Sequence, residues 1–189
     1  ESEVTARVVV NAAGLGQDRL STAAGLEVDR LGYRQHPCRG RWFAINPRHR
    51  GRVGPLLYPV GSAAGGGLGV HLCIDVGGGL RLGPDWEWVD GPPFDLSVGP
   101  DQRDAFWEEG RKLLPWLERE DLSPDMAGVR AKLVPAPGAF ADFVLQEESA
   151  EGLPGWVTLA GIESPGLTAA AALAEGVETL FTLQQGDVL

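Results

Sequence analysis

The sequence predicts an α+β fold in which a run of strands with one helix is flanked by two pieces of an α/β unit. Three observations indicate this fold class. An apolar, strand-like run near each end of the chain is followed by a helical segment. Between them, short strand-like segments are separated by turns in a chain that has 27 Gly and 14 Pro. One segment in this middle region has the period of an amphipathic helix, which adds a helix to an otherwise antiparallel sheet.

The chain opens with a predicted strand and helix. Residues 6–16 form a β-branched run that ends in small residues, and this pattern predicts a buried strand followed by a close-packed turn. Residues 17–26 predict a short helix that ends near Gly25, because glycine commonly terminates helices.

The middle of the chain is rich in strand signals. Residues 65–76 and 79–89 lie on either side of a triple-glycine turn, and this arrangement favours an antiparallel hairpin. Three carboxylates alternate along 85–90, which is typical of an exposed strand face. Four more segments are strand-like: 33–46, which is broken at Pro37 and Gly40, 56–60, 127–135 and 141–146.

Two further helices are predicted. Residues 100–117 carry apolar side chains at helical spacing, acidic residues early, and Arg111 and Lys112 late, as the helix dipole favours. Near the end of the chain, a buried strand at 156–162 leads into a helix at 164–185. The corner between them reads Glu163-Ser164-Pro165-Gly166. Ser164 is suited to cap the helix, and Pro165 fits its first turn.

Composition narrows the functional classes. The chain is 43% hydrophobic and 22% charged, which is typical of a globular protein, and no apolar run approaches the roughly 20 residues of a membrane helix. The net charge of −10 disfavours nucleic acid as a partner. We therefore expect no nucleic acid partner and no integral membrane segment, while an oligomer stays open.

Cysteine and histidine spacing gives no metal pattern. Cys38 and Cys73 lie far apart, and we expect neither a disulfide nor a metal site in a chain that is typical of the cytoplasm. The first residues show no signal peptide and no initiating Met. We therefore expect the chain to be part of a larger protein.

Several motifs in this order resemble one known family. The segments VVVNAAGLGQDRL, GVHL with the following LGP, GVRAKL and GIESPGLTAA are similar to the FAD-dependent oxidoreductases of the D-amino-acid-oxidase-like superfamily. They look most like the L-2-hydroxyglutarate dehydrogenase/oxidase branch, over residues 6–183. The resemblance implies that 33–150 is an antiparallel-sheet substrate domain. Residues 1–32 and 151–189 would then be C-terminal pieces of a Rossmann-like FAD-binding domain.

One family feature is missing from the sequence. Such proteins hold the FAD pyrophosphate with a G-x-G-x-x-G turn between a strand and a helix, and this chain has none. The glycine-rich stretch 61–69 precedes a strand and is not that motif. The resemblance therefore implies FAD for the full-length protein, whereas we expect this chain alone to bind FAD poorly or not at all.

The resemblance also nominates four residues for substrate chemistry. His71 would be the general base, since the ordinary pKa of histidine lies near neutral pH, although a lone strand histidine is more often structural. Arg130 would grip a substrate carboxylate through its planar fork, and Lys132 is a second cation for a dicarboxylate. Both could equally lie on a solvated strand face. Tyr58 could point its hydroxyl into the same pocket or be a buried core residue.

Other residues are expected at the cofactor. Ala13 and Gly14 would allow close approach to FAD or, with equal merit, to a neighbouring strand. Arg39 and Gly40 would pass near the cofactor or form an ordinary bend. The corner before the last helix would present free amides to the flavin, which adds Gly161, Ser164, Gly166, Leu167 and Thr168.

The sequence thus predicts part of an FAD-dependent enzyme that oxidises a small 2-hydroxy acid, similar to 2-hydroxyglutarate, by hydride transfer. One alternative is an amino-acid or amine oxidase of the same superfamily. Another is an FAD-free or vestigial domain without catalysis, which the missing fingerprint favours for this chain alone.

Overall fold

The structure is a computed structural model that describes residues 4–60, 69–134 and 140–186, the last five of these by their backbone. The glycine-rich stretch predicted not to be the dinucleotide fingerprint lies outside the described residues, apart from Gly69. In chain order the elements are β1 (Val9–Asn11), α1 (Gln17–Ala23), β2 (His36–Ile45), β3 (His71–Ile74), β4 (Leu80–Gly83), β5 (Glu87–Trp88), α2 (Arg103–Leu113), β6 (Leu122–Lys132), β7 (Val144–Glu147), β8 (Trp156–Ala160) and α3 (Gly166–Gly186).

The predicted α+β fold class is confirmed, with antiparallel pairing in both sheets. The chain separates into two compact units. The first unit comprises Glu1–His36, Ala131–Val134 and Phe140–Leu189, and the second comprises Pro37–Arg130 and Pro135–Ala139.

The first unit is built on a three-stranded sheet in the order β1-β8-β7. β1 runs parallel to β8, with Val10 opposite Val157, and β7 runs antiparallel to β8. The predicted burial of β8 is confirmed, since Val157, Thr158 and Ala160 have no exposed surface. A small apolar core contains Leu26, Val28, Tyr33 and Ala160.

The second unit is built on a five-stranded sheet. Four strands follow the order β3-β4-β2-β5, and β6 pairs with β2. The predicted hairpin is confirmed as β3 and β4, with His71 opposite Gly83 and Ile74 opposite Leu80. The core between sheet and α2 contains Phe43, Ile45, Leu72, Leu80, Leu82, Phe106, Leu114, Leu117 and Leu122. Burial of such side chains is the main term that stabilises the unit.

Two of the predicted strands differ from the structure. β2 runs unbroken through Pro37 and Gly40, because Pro37 contributes its carbonyl, which accepts from the Val89 amide. The segment 56–60 forms no regular strand. Leu57 makes a single bridge to Leu72, and neither Pro55 nor Pro59 has an amide hydrogen to extend the pairing.

The prediction that β1 is buried is wrong. Val8, Val9 and Val10 are each at least 40% exposed. The reason is that β1 pairs with β8 alone within the described ranges, so one of its edges has no partner there. Helix α3, which follows β8, is likewise exposed along much of its described length.

No helix within the described part of the chain is both long and apolar enough to span a membrane. Cys38 and Cys73 are free thiols, with Cys38 buried.

Candidate functional site

His71 begins β3 in the second unit and is 8% exposed. Its Nδ1 lies 2.9 Å from the carbonyl oxygen of Gly69. A carbonyl can only accept a hydrogen bond, so Nδ1 carries the proton in the neutral ring and Nε2 keeps a lone pair. The structure gives Nε2 no partner among the residues it describes. His71 therefore presents Nε2 as a proton acceptor.

Aromatic side chains hold the His71 ring on two sides. Tyr58 stacks on the ring with centroids 4.5 Å apart and planes 23° apart. Trp42 meets it edge-on at 5.4 Å and 86°. Tyr58 is 46% exposed, so the alternative that it is a buried core tyrosine does not describe this structure.

Arg130 lies near the end of β6 and is partly buried. Its Nη2 donates to the carbonyl oxygen of Asp85 over 3.2 Å and lies 3.6 Å from Cys38 Sγ. Its Nε is buried and has no hydrogen-bond partner among the residues that the structure describes. No carboxylate among the described residues pairs with this guanidinium. A partly buried cation that lacks a carboxylate partner in the described part of the chain favours an anionic ligand.

Two other arginines of this sheet, both on β2, are already ion-paired. Arg39 pairs with Glu87 over 2.6 Å, and its hydrogen bond holds the pKa of Glu87 below the usual range. Arg41 pairs with Asp85 over 2.7 Å. Two carboxylates of the predicted face, Asp85 and Glu87, are therefore ion-paired. The charge of Arg39 is balanced by Glu87 and is not available for a cofactor.

Gly40 is explained by packing within the protein. A Cβ at this position would lie 2.9 Å from Pro84 Cβ and 3.1 Å from the carbonyl oxygen of Asp85. The neighbouring Arg130 Nη2 would be 3.4 Å away. Gly40 therefore lets β2 pass close to the segment 83–85, and its predicted contact with a cofactor stays a prediction.

The segment 83–85 connects the two principal candidate residues. Gly83 is the strand partner of His71, and Asp85 accepts the hydrogen bond from Arg130. The structure thus brings an imidazole nitrogen and a guanidinium, neither of them paired with a carboxylate of the described residues, to the two ends of one three-residue stretch. This arrangement is suited to an acid that carries a hydroxyl group close to its carboxylate.

Lys132 lies in the first unit and is not a free cation. Its Nζ contacts Glu163 Oε1 over 2.8 Å, and the two side chains are 14% and 22% exposed. The ion pair ties the end of β6 to the corner before α3. A second substrate carboxylate would have to compete with Glu163 for this ammonium group.

The corner before α3 is shaped by two glycines. Gly161 has φ +68°, and a Cβ there would lie 2.6 Å from the Leu133 side chain. A Cβ at Gly166 would lie 2.7 Å from Ile162 Cγ2. α3 begins at Gly166 and the Pro165 carbonyl accepts from the Ala169 amide, so the helix starts later than predicted and Ser164 is not its capping residue.

Leu167 and Thr168 provide the amides of the first turn of α3. Neither amide has an acceptor among the described residues, and the Leu167 side chain is 95% exposed. Unpaired amides at a helix start attract negative charge, because the helix dipole adds to their own.

A groove of about 500 Å³ lies beside this corner in the first unit. Gly14 and Gly166 line it at the corner, and Gly14 has φ +56°. Ala13 is exposed next to Gly14. The other lining residues are apolar: Val10, Ala12, Leu159, Ile162, Ala170, Leu173, Ala174 and Val177. FAD is the cofactor that the resemblance implies for this corner, but Leu167 and Thr168 are not among the residues that line the groove. The pyrophosphate would need a glycine-rich turn that the sequence lacks.

Sequence reasoning did not connect three residues of these arrangements with the candidates that they contact. Trp42 contacts the His71 ring, and Gly83 is the strand partner of His71. Glu163 forms the ion pair with Lys132. Each lies far in sequence from the residue that it contacts, so no local pattern connects the two. The hairpin at the triple-glycine turn was the one usable signal, since it aligns Gly83 with His71.

The chain was compared with known protein families and curated proteins. A family profile described as DAO, FAD dependent oxidoreductase, matches residues 1–179. The mitochondrial L-2-hydroxyglutarate dehydrogenase of Arabidopsis thaliana is 38% identical over 188 residues, which cover 95% of this chain and 38% of that protein. The L-2-hydroxyglutarate dehydrogenase of Escherichia coli K12 is 28% identical over 218 residues, which cover 96% of this chain and 50% of the relative. The chain therefore spans half or less of these relatives' lengths.

Two solved structures share the fold. The FAD-bound, dithionite-reduced L-alpha-glycerophosphate oxidase of Mycoplasma pneumoniae superposes with a TM-score of 0.74 at 23% identity, covering 93% of this chain and 42% of the oxidase. Glycine oxidase from Bacillus cereus gives a TM-score of 0.62 at 16% identity over 92% of this chain and 42% of that structure. At these identities the likeness concerns the fold alone.

Proposed function

The chain belongs to the DAO family of FAD-dependent oxidoreductases, and from this premise we propose that it is the substrate-binding and flavin-contacting portion of an enzyme that oxidises a small 2-hydroxy acid. The observation that carries the proposal is the placement, at the two ends of the segment 83–85, of His71 and Arg130, whose Nε2 and guanidinium have no hydrogen-bond partner and no carboxylate partner, respectively, among the described residues. The L-2-hydroxyglutarate dehydrogenases among its relatives support a substrate similar to 2-hydroxyglutarate.

Each candidate residue has a defined role in this reaction. Arg130 donates hydrogen bonds to the substrate carboxylate and thereby fixes the adjacent hydroxyl-bearing carbon. His71 Nε2 accepts the hydroxyl proton as that carbon loses its hydride. FAD, when bound, supplies the hydride acceptor. The products are a 2-oxo acid, a protonated imidazole and reduced cofactor, so protons and electrons balance.

The free amides of Leu167 and Thr168 and the groove beside them would hold the flavin ring. The positive end of α3 would favour the negative charge that a flavin gains on reduction. Lys132 remains a candidate second cation for a dicarboxylate, although this role requires that its pairing with Glu163 be loosened.

Substitution of Arg130 tests the proposal in the FAD-loaded protein that contains this chain. Arg130→Ala should raise KM for a 2-hydroxy acid by roughly 10²-fold, because a charged hydrogen-bonded pair is lost. Arg130→Lys should recover part of the loss by keeping the charge without the fork. Arg119→Ala, at an exposed ion pair with Asp104, is the matched control. An unchanged KM in Arg130→Ala would remove this residue from substrate binding.

His71 is tested in the same assay by a different constant. His71→Ala should lower kcat strongly while the protein keeps its flavin, since the proton acceptor contributes to the chemical step. A normal kcat would exclude His71 as the base.

A further inference from the structure

We infer that Trp42 and Gly83 are positioning residues that fix the orientation of the His71 ring. The inference rests on the proposed function for its catalytic meaning, whereas its structural content concerns this chain alone. The arrangement consists of three side-chain positions on three adjacent strands of the second unit.

The strand register places the three residues in one row. β3 pairs His71 with Gly83 of β4, and β2 pairs Phe43 with Leu82, which puts Trp42 beside Gly83. Residues in register on neighbouring strands point to the same face of a sheet. Trp42, Gly83 and His71 therefore share a face, with Gly83 in the middle.

Gly83 provides the gap through which the outer two side chains meet. Two strands that are not direct neighbours lie about 10 Å apart, twice the usual strand spacing. The ring centroids of Trp42 and His71 are nevertheless 5.4 Å apart, because the indole leans across β4. A Cβ at Gly83 would lie 2.7 Å from Trp42 Cδ2 and 2.7 Å from the carbonyl oxygen of Arg41, so a side chain at this position would displace the indole or the backbone of β2.

The indole restricts how the His71 ring can turn. Tyr58 covers one ring face at 4.5 Å, and Trp42 presents its edge at 86° to the ring plane. In this orientation Nδ1 reaches the Gly69 carbonyl, and Nε2 is left with its lone pair. Without the indole, rotation of the imidazole would break the Nδ1 hydrogen bond that selects the tautomer. The Trp42 contact thus acts on the reactive nitrogen through the ring orientation.

Nitrogen-15 NMR of histidine-labelled chain tests the inference directly. The chain has three histidines, so His36 and His49 serve as internal references for folding. In the unaltered chain, His71 should give the signals of a single Nδ1–H tautomer and cross-relaxation contacts with the Trp42 indole. If the unaltered chain lacks either result, the inference is wrong, and no variant is needed to show it.

Trp42→Leu should populate both tautomers of His71 while the signals of His36 and His49 stay in place. Trp42→Phe, which retains an aromatic ring on this face, should recover the single tautomer. The control Trp86→Leu removes a tryptophan that is 38% exposed and contacts Trp88, and it should leave His71 unchanged. A single unchanged tautomer in Trp42→Leu would show that the indole does not position the ring.

Kinetics in the FAD-loaded protein separate this inference from the proposed function. Trp42→Leu should lower kcat about tenfold with little change in KM, as expected for misorientation of a base. If His71→Ala leaves kcat normal, the proposed base is wrong even where the NMR result stands. If His71→Ala lowers kcat and Trp42→Leu leaves it unchanged, the positioning role is wrong.

Discussion

At the scale of single residues, burial and charge pairing decide which ionisable groups are available for chemistry. Arg39, Arg41 and Lys132 each have a carboxylate partner, whereas Arg130 has none among the described residues. The sequence contains these cations within a few positions of one another along two strands. Their partners come from other strands and from the corner before α3, so local sequence alone cannot separate the free cation from the paired ones.

Tyr33 is a second residue whose chemistry is set by its surroundings. It is 7% exposed, and burial raises its pKa to about 12, with smaller contributions from the charge and hydrogen bond of Glu148. Because the folded state holds this proton more tightly than the unfolded state, the stabilisation is complete below the ordinary tyrosine pKa of about 10. It is lost as the pH rises toward 12.

We expect the free energy of unfolding to fall by up to about 3 kcal/mol from this residue as the pH rises through that interval. Denaturant unfolding at a series of alkaline pH values measures the fall, and Tyr33→Phe should lack this component. Tyrosinate absorbance resolves the same event, since the chain has two tyrosines. A Tyr33→Phe variant with the same pH profile as the unaltered chain would contradict the assignment.

At the scale of secondary-structure elements, the sequence patterns located most strands and all three helices. The triple-glycine turn predicted the β3–β4 hairpin, and the apolar run near the C-terminal end predicted β8. The patterns failed where pairing depends on distant partners. Pro37 and Gly40 lie inside β2 because β4, β5 and β6 pair with other parts of that strand. The segment 56–60 has strand-like residues, yet within the described ranges Leu57 alone forms a β-bridge.

The link between β8 and α3 depends on Gly161. Its φ of +68° is unfavourable for other residues, and the Leu133 side chain occupies the space of a Cβ. We expect Gly161→Ala to lower the free energy of unfolding by about 2–4 kcal/mol through strain and overpacking. Thermal or denaturant unfolding gives this value.

Gly128→Ala is the matched control, because a Cβ at Gly128 meets nothing within 4 Å. This variant should change the free energy of unfolding by less than about 0.5 kcal/mol. Equal losses in the two variants would mean that the corner geometry is not responsible.

At the scale of the whole molecule, the chain corresponds to only part of the length of its relatives. It spans 38% of the Arabidopsis relative and 50% of the Escherichia coli relative. In the first unit, apolar side chains of β1 and the groove beside α3 remain exposed. Parallel strands are normally buried on both faces, so the exposed apolar side chains of β1 are suited to further polypeptide of the FAD-binding domain.

This incompleteness predicts weak cofactor binding by the isolated 189-residue chain. Under the proposed function, the groove and the free amides at Leu167 and Thr168 would contact the flavin ring, but the sequence has no glycine-rich turn for the pyrophosphate. We expect FAD to bind with a Kd weaker than about 10 μM, as measured by quenching of flavin fluorescence. Riboflavin, which lacks the pyrophosphate, should bind about as weakly. A tight, stoichiometric FAD complex would show that this chain contains a complete site.

The sequence by itself determined the family, the α+β class and the identity of the reactive candidates His71 and Arg130, because motifs and side-chain chemistry are properties of the chain as written. The tertiary structure decided which of these groups remain free. The tautomer of His71 depends on Gly69, Tyr58 and Trp42, and the open charge of Arg130 depends on which strand each carboxylate occupies. Such contacts join residues far apart in sequence, and their energies are set by distance and burial, which exist only once the strands have paired.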